Sequence, residues 1–179
     1  MSSDAADNRI RAALEAGDLV ALTLVWDHYA DDLFALLLSV LGSWHDAEDV
    51  LQEVFMKIAR RRQLVATARN LRSYLLGMAR HEAINLINRR PRHDELTDAA
   101  APWLEPTDSG VSAPEMAQKL AVALAALPEE QRTVVTLKVF REMTFQGIAD
   151  ALDIPPDTAA SRYRYGLKKL RTLMRDERP

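Results

Sequence analysis

The amino-acid sequence predicts an all-α protein of two small helical domains, joined by an acidic, flexible linker and ending in a helix-turn-helix. Glycine is scarce, with 6 in 179 residues, and long segments are rich in Ala, Leu, Arg and Glu, which favour helices. Apolar side chains recur at helical spacing on both sides of one stretch that breaks the pattern with Pro, Ser, Gly and acidic residues. We therefore predict a first domain at 1–92, a linker at 93–113 and a second domain at 114–179.

The composition excludes several classes of function. The chain has no cysteine, which rules out disulfides, thiolate metal sites and thiol redox sensing within it. Its N-terminus is polar, unlike a signal peptide, and no apolar run approaches the roughly 18 residues that a membrane-spanning helix needs. The sequence therefore predicts a soluble, cytoplasmic protein without membrane contact.

Charge is segregated along the chain, although the formal net charge is only -3. Acidic residues dominate 1–56, where Arg9 and Arg11 are the only basic side chains. Between 57 and 92 the balance reverses, and Glu82 is the single acidic residue. A mildly acidic protein can bind nucleic acid when its basic groups are gathered in one place.

The first domain begins with two predicted helices, at 10–16 and 19–41, separated by Gly17 and Asp18. Gly42 ends the second of them. Its apolar residues recur at helical spacing and predict the face turned to the core, which consists of Leu22, Val25, Trp26, Tyr29, Leu33, Leu36, Leu37 and Val40.

The next predicted helix starts near Ser43 and has one apolar and one acidic face. Its apolar residues recur at i, i+3, i+4, i+7, i+8 and i+11, which predicts a buried face of Ala47, Val50, Leu51, Val54, Phe55 and Ile58. A solvated surface is the ordinary interpretation of the acidic face. The abrupt change to three arginines at 60–62 favours a different interpretation, in which the acidic face binds a protein and the basic segment binds DNA.

After a predicted loop at 63–68, Asn70 is expected to cap a helix that ends before the next proline. His81, Asn85 and Asn88 recur at i, i+4 and i+7, so one face presents side chains that hydrogen-bond bases, among arginines suited to phosphates. Such a face suits the exposed bases of single-stranded DNA. A plain polar surface is the alternative.

The second domain has the spacing of a helix-turn-helix. Thr144 is expected to cap a short helix, a turn follows at 153–155, and Pro156 suits the first position of a basic last helix. A helical hairpin with only a structural role is the alternative. The residues expected to face outward on the last helix include Thr158, Ser161, Arg162, Arg164, Tyr165, Lys168 and Lys169.

Residues 46–55, Asp-Ala-Glu-Asp-Val-Leu-Gln-Glu-Val-Phe, resemble the polymerase-binding helix of bacterial sigma factors, especially of the small extracytoplasmic-function group of the sigma-70 family. The resemblance implies that the acidic and amide face binds the clamp helices of the β′ subunit of RNA polymerase core. The residues implied in core binding are Asp46, Glu48, Asp49, Gln52 and Glu53.

Residues 74–90 are similar to the sigma segment that opens and reads the minus-ten promoter element, and 61–69 is similar to the family loop that captures a flipped base. Tyr74, His81 and Asn85 stand where many members have Trp, Asn and Asp, which leaves the promoter sequence open. The DNA-binding residues implied are Arg61, Arg62, Arg69, Arg72, Tyr74, Arg80, His81, Asn85, Asn88 and Arg89.

Residues 127–132 and the helix-turn-helix resemble the sigma domain that reads the minus-thirty-five element and contacts the polymerase β flap. Thr158, Ser161 and Arg162 match its usual Thr-x-x-Ser-Arg pattern. Ala160 and Tyr165 stand where basic residues are frequent, which suggests greater reliance on phosphate contacts and DNA shape. The resemblance also implies that the linker threads the polymerase channel later used by the transcript, with a passive tether as the alternative.

The two motifs together predict a sigma factor that binds RNA polymerase core and promoter DNA and needs no cofactor or metal. The resemblance further implies that an anti-sigma protein can hold it inactive by covering both domains; we expect a monomer when the chain is free. An enzyme is not expected, because no nucleophile elbow, phosphate-binding glycine loop or His-Glu-x-x-His is present. The main alternative is a free-standing helix-turn-helix regulator of duplex operators, which leaves the acidic helix unexplained.

Overall fold

The computed structural model describes residues 3–18, 20–89 and 115–175, whose regular structure is entirely helical. The helices before residue 90 form the first unit, and those after 114 form the second unit. The predicted linker at 93–113 lies outside the described residues. The first unit contains α1 (Ser3–Ala16), α2 (Val20–Leu41), α3 (Trp44–Arg60), α4 (Arg62–Ala66) and α5 (Leu71–Arg89), and the second contains α6 (Glu115–Ala125), α7 (Glu129–Val139), α8 (Phe145–Leu152) and α9 (Pro156–Arg175).

Local side-chain contacts start several helices where the sequence predicts them. The side chains of Ser43, Asn70 and Thr144 each accept a hydrogen bond from the backbone N–H three residues on, at 3.4, 3.0 and 3.0 Å. Each bond satisfies a donor that has no partner within the first helical turn. Pro156 is the first residue of α9, as predicted.

The prediction of a loop at 63–68 is wrong, because α4 occupies most of this segment. Val65 and Ala66 are buried, at 0% and 3% exposure, and α4 packs on α1. A helix of 5 residues is little longer than one turn, so the spacing of its apolar residues cannot show a helical period. The burial of its apolar side against α1 therefore explains why it forms. α1 itself starts at Ser3, earlier than expected.

Two aromatic side chains do not occupy the core positions that periodicity predicts for them. Trp26 is 50% exposed, and Phe55 is only partly buried. Their rings contact each other with centroids 4.9 Å apart. The pair therefore lies at the edge of the α2–α3 contact, where a residue on the margin of an apolar stripe stays accessible.

The two units share one hydrophobic core. α2 packs on α7, and α5 packs on α8. Leu137 and Ile148 of the second unit are fully buried in the same cluster as Leu36 and Leu75 of the first. Burial of apolar side chains from both sides is the main force that holds the units together.

Polar groups between α2 and α7 are also paired. The hydroxyls of Ser39 and Thr133 lie 3.1 Å apart, and Arg132 Nε donates to the Ser39 carbonyl at 2.7 Å. Burial lowers the pKa of the Arg132 guanidinium, an effect that the nearby Glu129 carboxylate opposes. These bonds give Ser39, Thr133 and Arg132 partners, which lowers the desolvation cost of burying these three side chains.

Candidate nucleic-acid interface

α3 exposes most of its acidic residues along one side. Glu48, Asp49, Gln52 and Glu53 are exposed, and Asp46 is partly buried in the first turn. Positions four residues apart lie above one another on a helix, so these side chains form a continuous acidic stripe over nearly two turns. The opposite side of α3 is buried in the core, which fixes the direction in which the stripe faces.

A groove of about 1070 Å³ runs along α5. It brings together five of the side chains predicted to contact minus-ten DNA, which are Arg61, Arg69, Tyr74, His81 and Asn85. The combination offers cations for phosphates, a ring for stacking, and imidazole and amide groups for base edges.

Other residues predicted for the same surface lie outside the groove. The guanidinium of Arg62 lies beside Gly17, where a Cβ would be 3.1 Å from Arg62 Nε. Asn88 and Arg89 are exposed in the last turn of α5, and Arg80 is partly buried. These residues can extend a nucleic-acid surface beyond the groove, but they do not line it.

The groove also contains an ion pair that the sequence analysis missed. The Lys57 ammonium pairs with the Glu82 carboxylate, whose side chain is only 6% exposed. A buried carboxylate needs such a partner. The signal in the sequence was Glu82 itself, the single acid between 57 and 92. Because Lys57 balances Glu82, the positive charge on the first unit's side of the groove comes from Arg61 and Arg69.

The second unit supplies the opposite wall of the groove, which the sequence did not predict. Gln146 and Asp150 of α8 line it, joined by a hydrogen bond of 2.8 Å from Gln146 Nε2 to Asp150 Oδ1. α8 approaches α5 closely at Gly77, where a Cβ would lie 3.6 Å from the Ala151 carbonyl oxygen. In this arrangement a carboxylate therefore faces the basic side of the groove.

Asp32 binds arginines from both units. It is 4% exposed, and its carboxylate accepts hydrogen bonds from Arg72 Nε at 2.6 Å and from Arg141 Nε. Arg72 Nη2 also donates to the Arg141 carbonyl at 2.9 Å. We call Asp32, Arg72 and Arg141 the Asp32 cluster. Arg72, predicted to contact DNA, is in this arrangement engaged between the units.

α9 has a buried and an exposed side, as the sequence predicts. Ala159 and Leu170 are buried, and Tyr163 packs against Phe145 of α8 with ring centroids 5.6 Å apart. Asp153, at φ 54°, makes the turn between α8 and α9. The exposed side contains Arg164, Tyr165, Lys168 and Lys169.

The predicted residues near the start of α9 already have partners in the second unit. The Ser161 hydroxyl donates to the Thr158 carbonyl at 2.9 Å. Arg162 Nη2 lies 2.8 Å from the Glu130 carboxylate of α7. Glu130 is well exposed, so this pair is held only weakly and can exchange for a phosphate.

The part of the chain that the structure describes holds no group of three or more His, Asp or Glu side chains placed to bind a metal ion. Within the same ranges, no helix is both long and apolar enough to cross a membrane.

Comparison with protein families gives two matches, in order along the chain. Residues 25–93 match the family model of sigma-70 region 2, and residues 117–170 match that of sigma-70 region 4. SigL of Mycobacterium tuberculosis, an ECF RNA polymerase sigma factor, is 30% identical over 169 residues, covering 92% of this chain and 93% of the relative. SigW of Bacillus subtilis, of the same description, is 28% identical over 177 residues, covering 91% and 94%.

Two solved structures have a similar fold. CnrH in complex with the cytosolic domain of CnrY superposes with a TM-score of 0.72 at 18% identity, covering 97% of this chain and 99% of CnrH. The sigma factor RpoE of Bartonella quintana, in complex with the anti-sigma factor NepR, has a TM-score of 0.67 at 22% identity, covering 83% and 92%.

Proposed function

The chain belongs to the extracytoplasmic-function group of the sigma-70 family, and we propose that it performs the function of that family through three surfaces. It is a sigma factor, which binds RNA polymerase core and directs transcription initiation from specific promoters. The observation that carries this conclusion is the presence of sigma-70 regions 2 and 4, in order, in one chain.

Core polymerase binds at the acidic stripe of α3. Glu48, Asp49, Gln52 and Glu53 are exposed together, with Asp46 at the start of the same helix. The rigid packing of α3 in the core presents these groups without a large ordering cost on binding. The partner surface is the pair of clamp helices of the β′ subunit.

Melted minus-ten DNA binds along α5. The groove supplies Arg61 and Arg69 for phosphates, Tyr74 for stacking, and His81 and Asn85 for base edges. A single strand suits this site because its unpaired bases can turn toward the side chains in the groove, whereas the paired and stacked bases of a duplex cannot. Arg62, Arg72, Arg80, Asn88 and Arg89 extend the positive or polar surface once the units separate.

Duplex minus-thirty-five DNA binds to the exposed side of α9. Arg164, Lys168 and Lys169 supply phosphate contacts, and Tyr165 at 61% exposure offers a ring and a hydroxyl. Thr158, Ser161 and Arg162 lie nearer the start of α9, the end that meets base edges in a helix-turn-helix. The second unit also contacts the polymerase β flap.

We call the arrangement in which the two units share one core the closed arrangement. It is the resting state of the free chain, and in this state the chain binds promoters poorly. α8 lines the groove with Gln146 and Asp150, so a DNA strand that fills the groove meets a carboxylate. Separation of the two units on core binding removes that wall. RpoE of B. quintana is seen with an anti-sigma factor, and a protein of that kind is our proposed regulator for this chain, which acts as a monomer in the cytoplasm.

A free-standing helix-turn-helix regulator is the less favoured alternative. It accounts for α8 and α9, but it leaves the region 2 match and the acidic stripe without a role. Catalysis is likewise no part of the proposed mechanism, which consists of recruitment and DNA capture.

The test is transcription by a reconstituted complex. Purified chain is mixed with RNA polymerase core and with genomic promoter fragments, and both core binding and transcript starts are measured. Specific starts that require the chain support the proposal. Sequence-specific duplex binding without core association would favour the free-standing regulator instead.

A further inference from the structure

Arg11 of α1 binds the backbone of the segment that joins α4 to α5. Its Nη1 donates to the Ala66 carbonyl at 2.9 Å and to the Ala68 carbonyl, and its Nη2 donates to the Arg69 carbonyl at 3.3 Å. A guanidinium has five N–H donors in a fixed plane, so one arginine can hold several carbonyl groups in a defined relative geometry.

α1 is itself firmly anchored, which makes Arg11 a fixed support. Ile10 and Leu14, on either side of Arg11 in the sequence, are 2% and 0% exposed. Asp7, one turn earlier, accepts a hydrogen bond from the hydroxyl of the buried Tyr29. Burial and this bond both raise the pKa of Tyr29, so its hydroxyl keeps the proton that it donates.

The segment that Arg11 holds forms one edge of the groove. Ala68, Arg69 and Asn70 all line it. Asn70 is held from the other side, because its side chain accepts the Ser73 N–H at 3.0 Å. The segment is thus fixed at both ends, by Arg11 through its carbonyl groups and by the cap of α5.

The contacts also change the electrostatics of this edge. Carbonyl oxygens carry partial negative charge and repel phosphate, but here they face a guanidinium on α1. Loss of Arg11 would leave these carbonyl oxygens without their cation and would loosen the segment between α4 and α5, so that part of the binding energy would be spent on ordering it again.

We propose that Arg11 is a positioning residue for capture of minus-ten DNA: it holds the α4–α5 segment in the geometry that places Arg69 at the groove. This inference rests on the proposed function of the groove. It adds α1, which lies outside the family match at 25–93, to the DNA-capturing apparatus.

The experiment uses holoenzyme, reconstituted from core polymerase and the full chain, and a promoter fragment with a pre-melted minus-ten segment. The fragment is taken from a transcript start mapped with the unchanged chain. Arg11→Met is expected to weaken binding of this fragment about tenfold or more, which corresponds to about 1.4 kcal/mol or more. Core affinity and binding of an upstream duplex are expected to stay unchanged.

Two variants serve as controls. Arg9→Met removes the same charge from the exposed side of α1 and is expected to bind the fragment normally. Arg11→Lys keeps the charge but not the planar fork, and it is expected to restore only part of the affinity. A positioning role also predicts that Arg11→Met flattens the preference among the four bases at one minus-ten position.

The outcomes separate this inference from the proposed function. If holoenzyme with the unchanged chain does not bind the fragment, the proposed function of the groove fails. If holoenzyme with the unchanged chain binds the fragment and Arg11→Met binds it equally well, the positioning role is overturned. The same conclusion follows if Arg9→Met loses as much affinity for the fragment as Arg11→Met does. Loss of core binding together with DNA binding in Arg11→Met would assign Arg11 to general stability and would also overturn it.

Discussion

Opening of the two units can be tested by removing one arginine of the Asp32 cluster. Arg141→Met keeps an aliphatic side chain but loses the guanidinium that donates to Asp32. A hydrogen bond to a charged group contributes about 1.5–3 kcal/mol. The low end applies here, because the Arg141 side chain is 27% exposed and Arg72 still pairs with Asp32. The expected shift toward the open arrangement is therefore about tenfold.

The assay is binding of a short fluorescent single-stranded DNA by the free chain. When only a small open fraction binds, the apparent dissociation constant varies inversely with that fraction. Arg141→Met should therefore bind DNA about tenfold more tightly. The direction of the change in DNA affinity distinguishes opening from a simple charge effect, because loss of a positive charge by itself weakens DNA binding.

Arg171→Met is the matched control, since Arg171 is an exposed arginine on α9 and its removal changes the net charge equally. It should bind DNA as the unchanged chain does, or more weakly. If Arg141→Met behaves in the same way as this control, the closed arrangement does not limit access to the groove, and the reasoning is refuted.

Three further predictions concern single side chains. Glu53→Lys should weaken core binding about tenfold or more, because it places a cation within the acidic stripe that meets the partner, with an unchanged melting temperature because Glu53 is exposed; normal affinity in a core titration would remove Glu53 from the site. Arg162→Ala should reduce transcription mainly from promoters with a minus-thirty-five element, and equal loss without that element would contradict its role. Tyr29→Phe should lower the free energy of unfolding by about 1–2 kcal/mol below pH 10, since Asp7 loses its buried donor. Burial, and then the bond to Asp7, raise the Tyr29 pKa above its ordinary value of 10.0. The difference in free energy of unfolding between the unchanged chain and Tyr29→Phe should therefore fall as pH rises above 10, which urea titrations on either side of that pH would detect.

The helix starts show how far local sequence reaches. Ser43, Asn70 and Thr144 were identifiable because a cap acts over only three residues. α4 was not identifiable, since its stability comes from α1, nearly fifty residues earlier, and its own five residues carry no readable period. The exposure of Trp26 and Phe55 was missed for a related reason. Periodicity gives the direction in which an apolar face points, but not how much of that face a neighbouring helix covers.

The same limit applies to the candidate site. His81 and Asn85 line one groove because helical spacing puts them on one side of α5, and this was readable from the sequence. Asn88, predicted for the same face, lies outside the groove in the last turn of α5. The facing residues Gln146 and Asp150 belong to the second unit, and no local pattern indicates that α8 lies against α5. Lys57 and Glu82 illustrate an intermediate case, because a lone acid in a basic segment suggests a partner without identifying it.

The sequence by itself determined the helical class, the order of the two family regions, and the separation of acidic from basic segments. These properties depend on residue type and on spacing within a few turns. Only the tertiary structure decided how individual charges are used: Arg72 binds Asp32, Arg162 pairs with Glu130, and Arg11 holds the backbone beside the groove. Each of these partners is chosen by proximity in space, and packing of the apolar core brings together residues that the sequence keeps far apart.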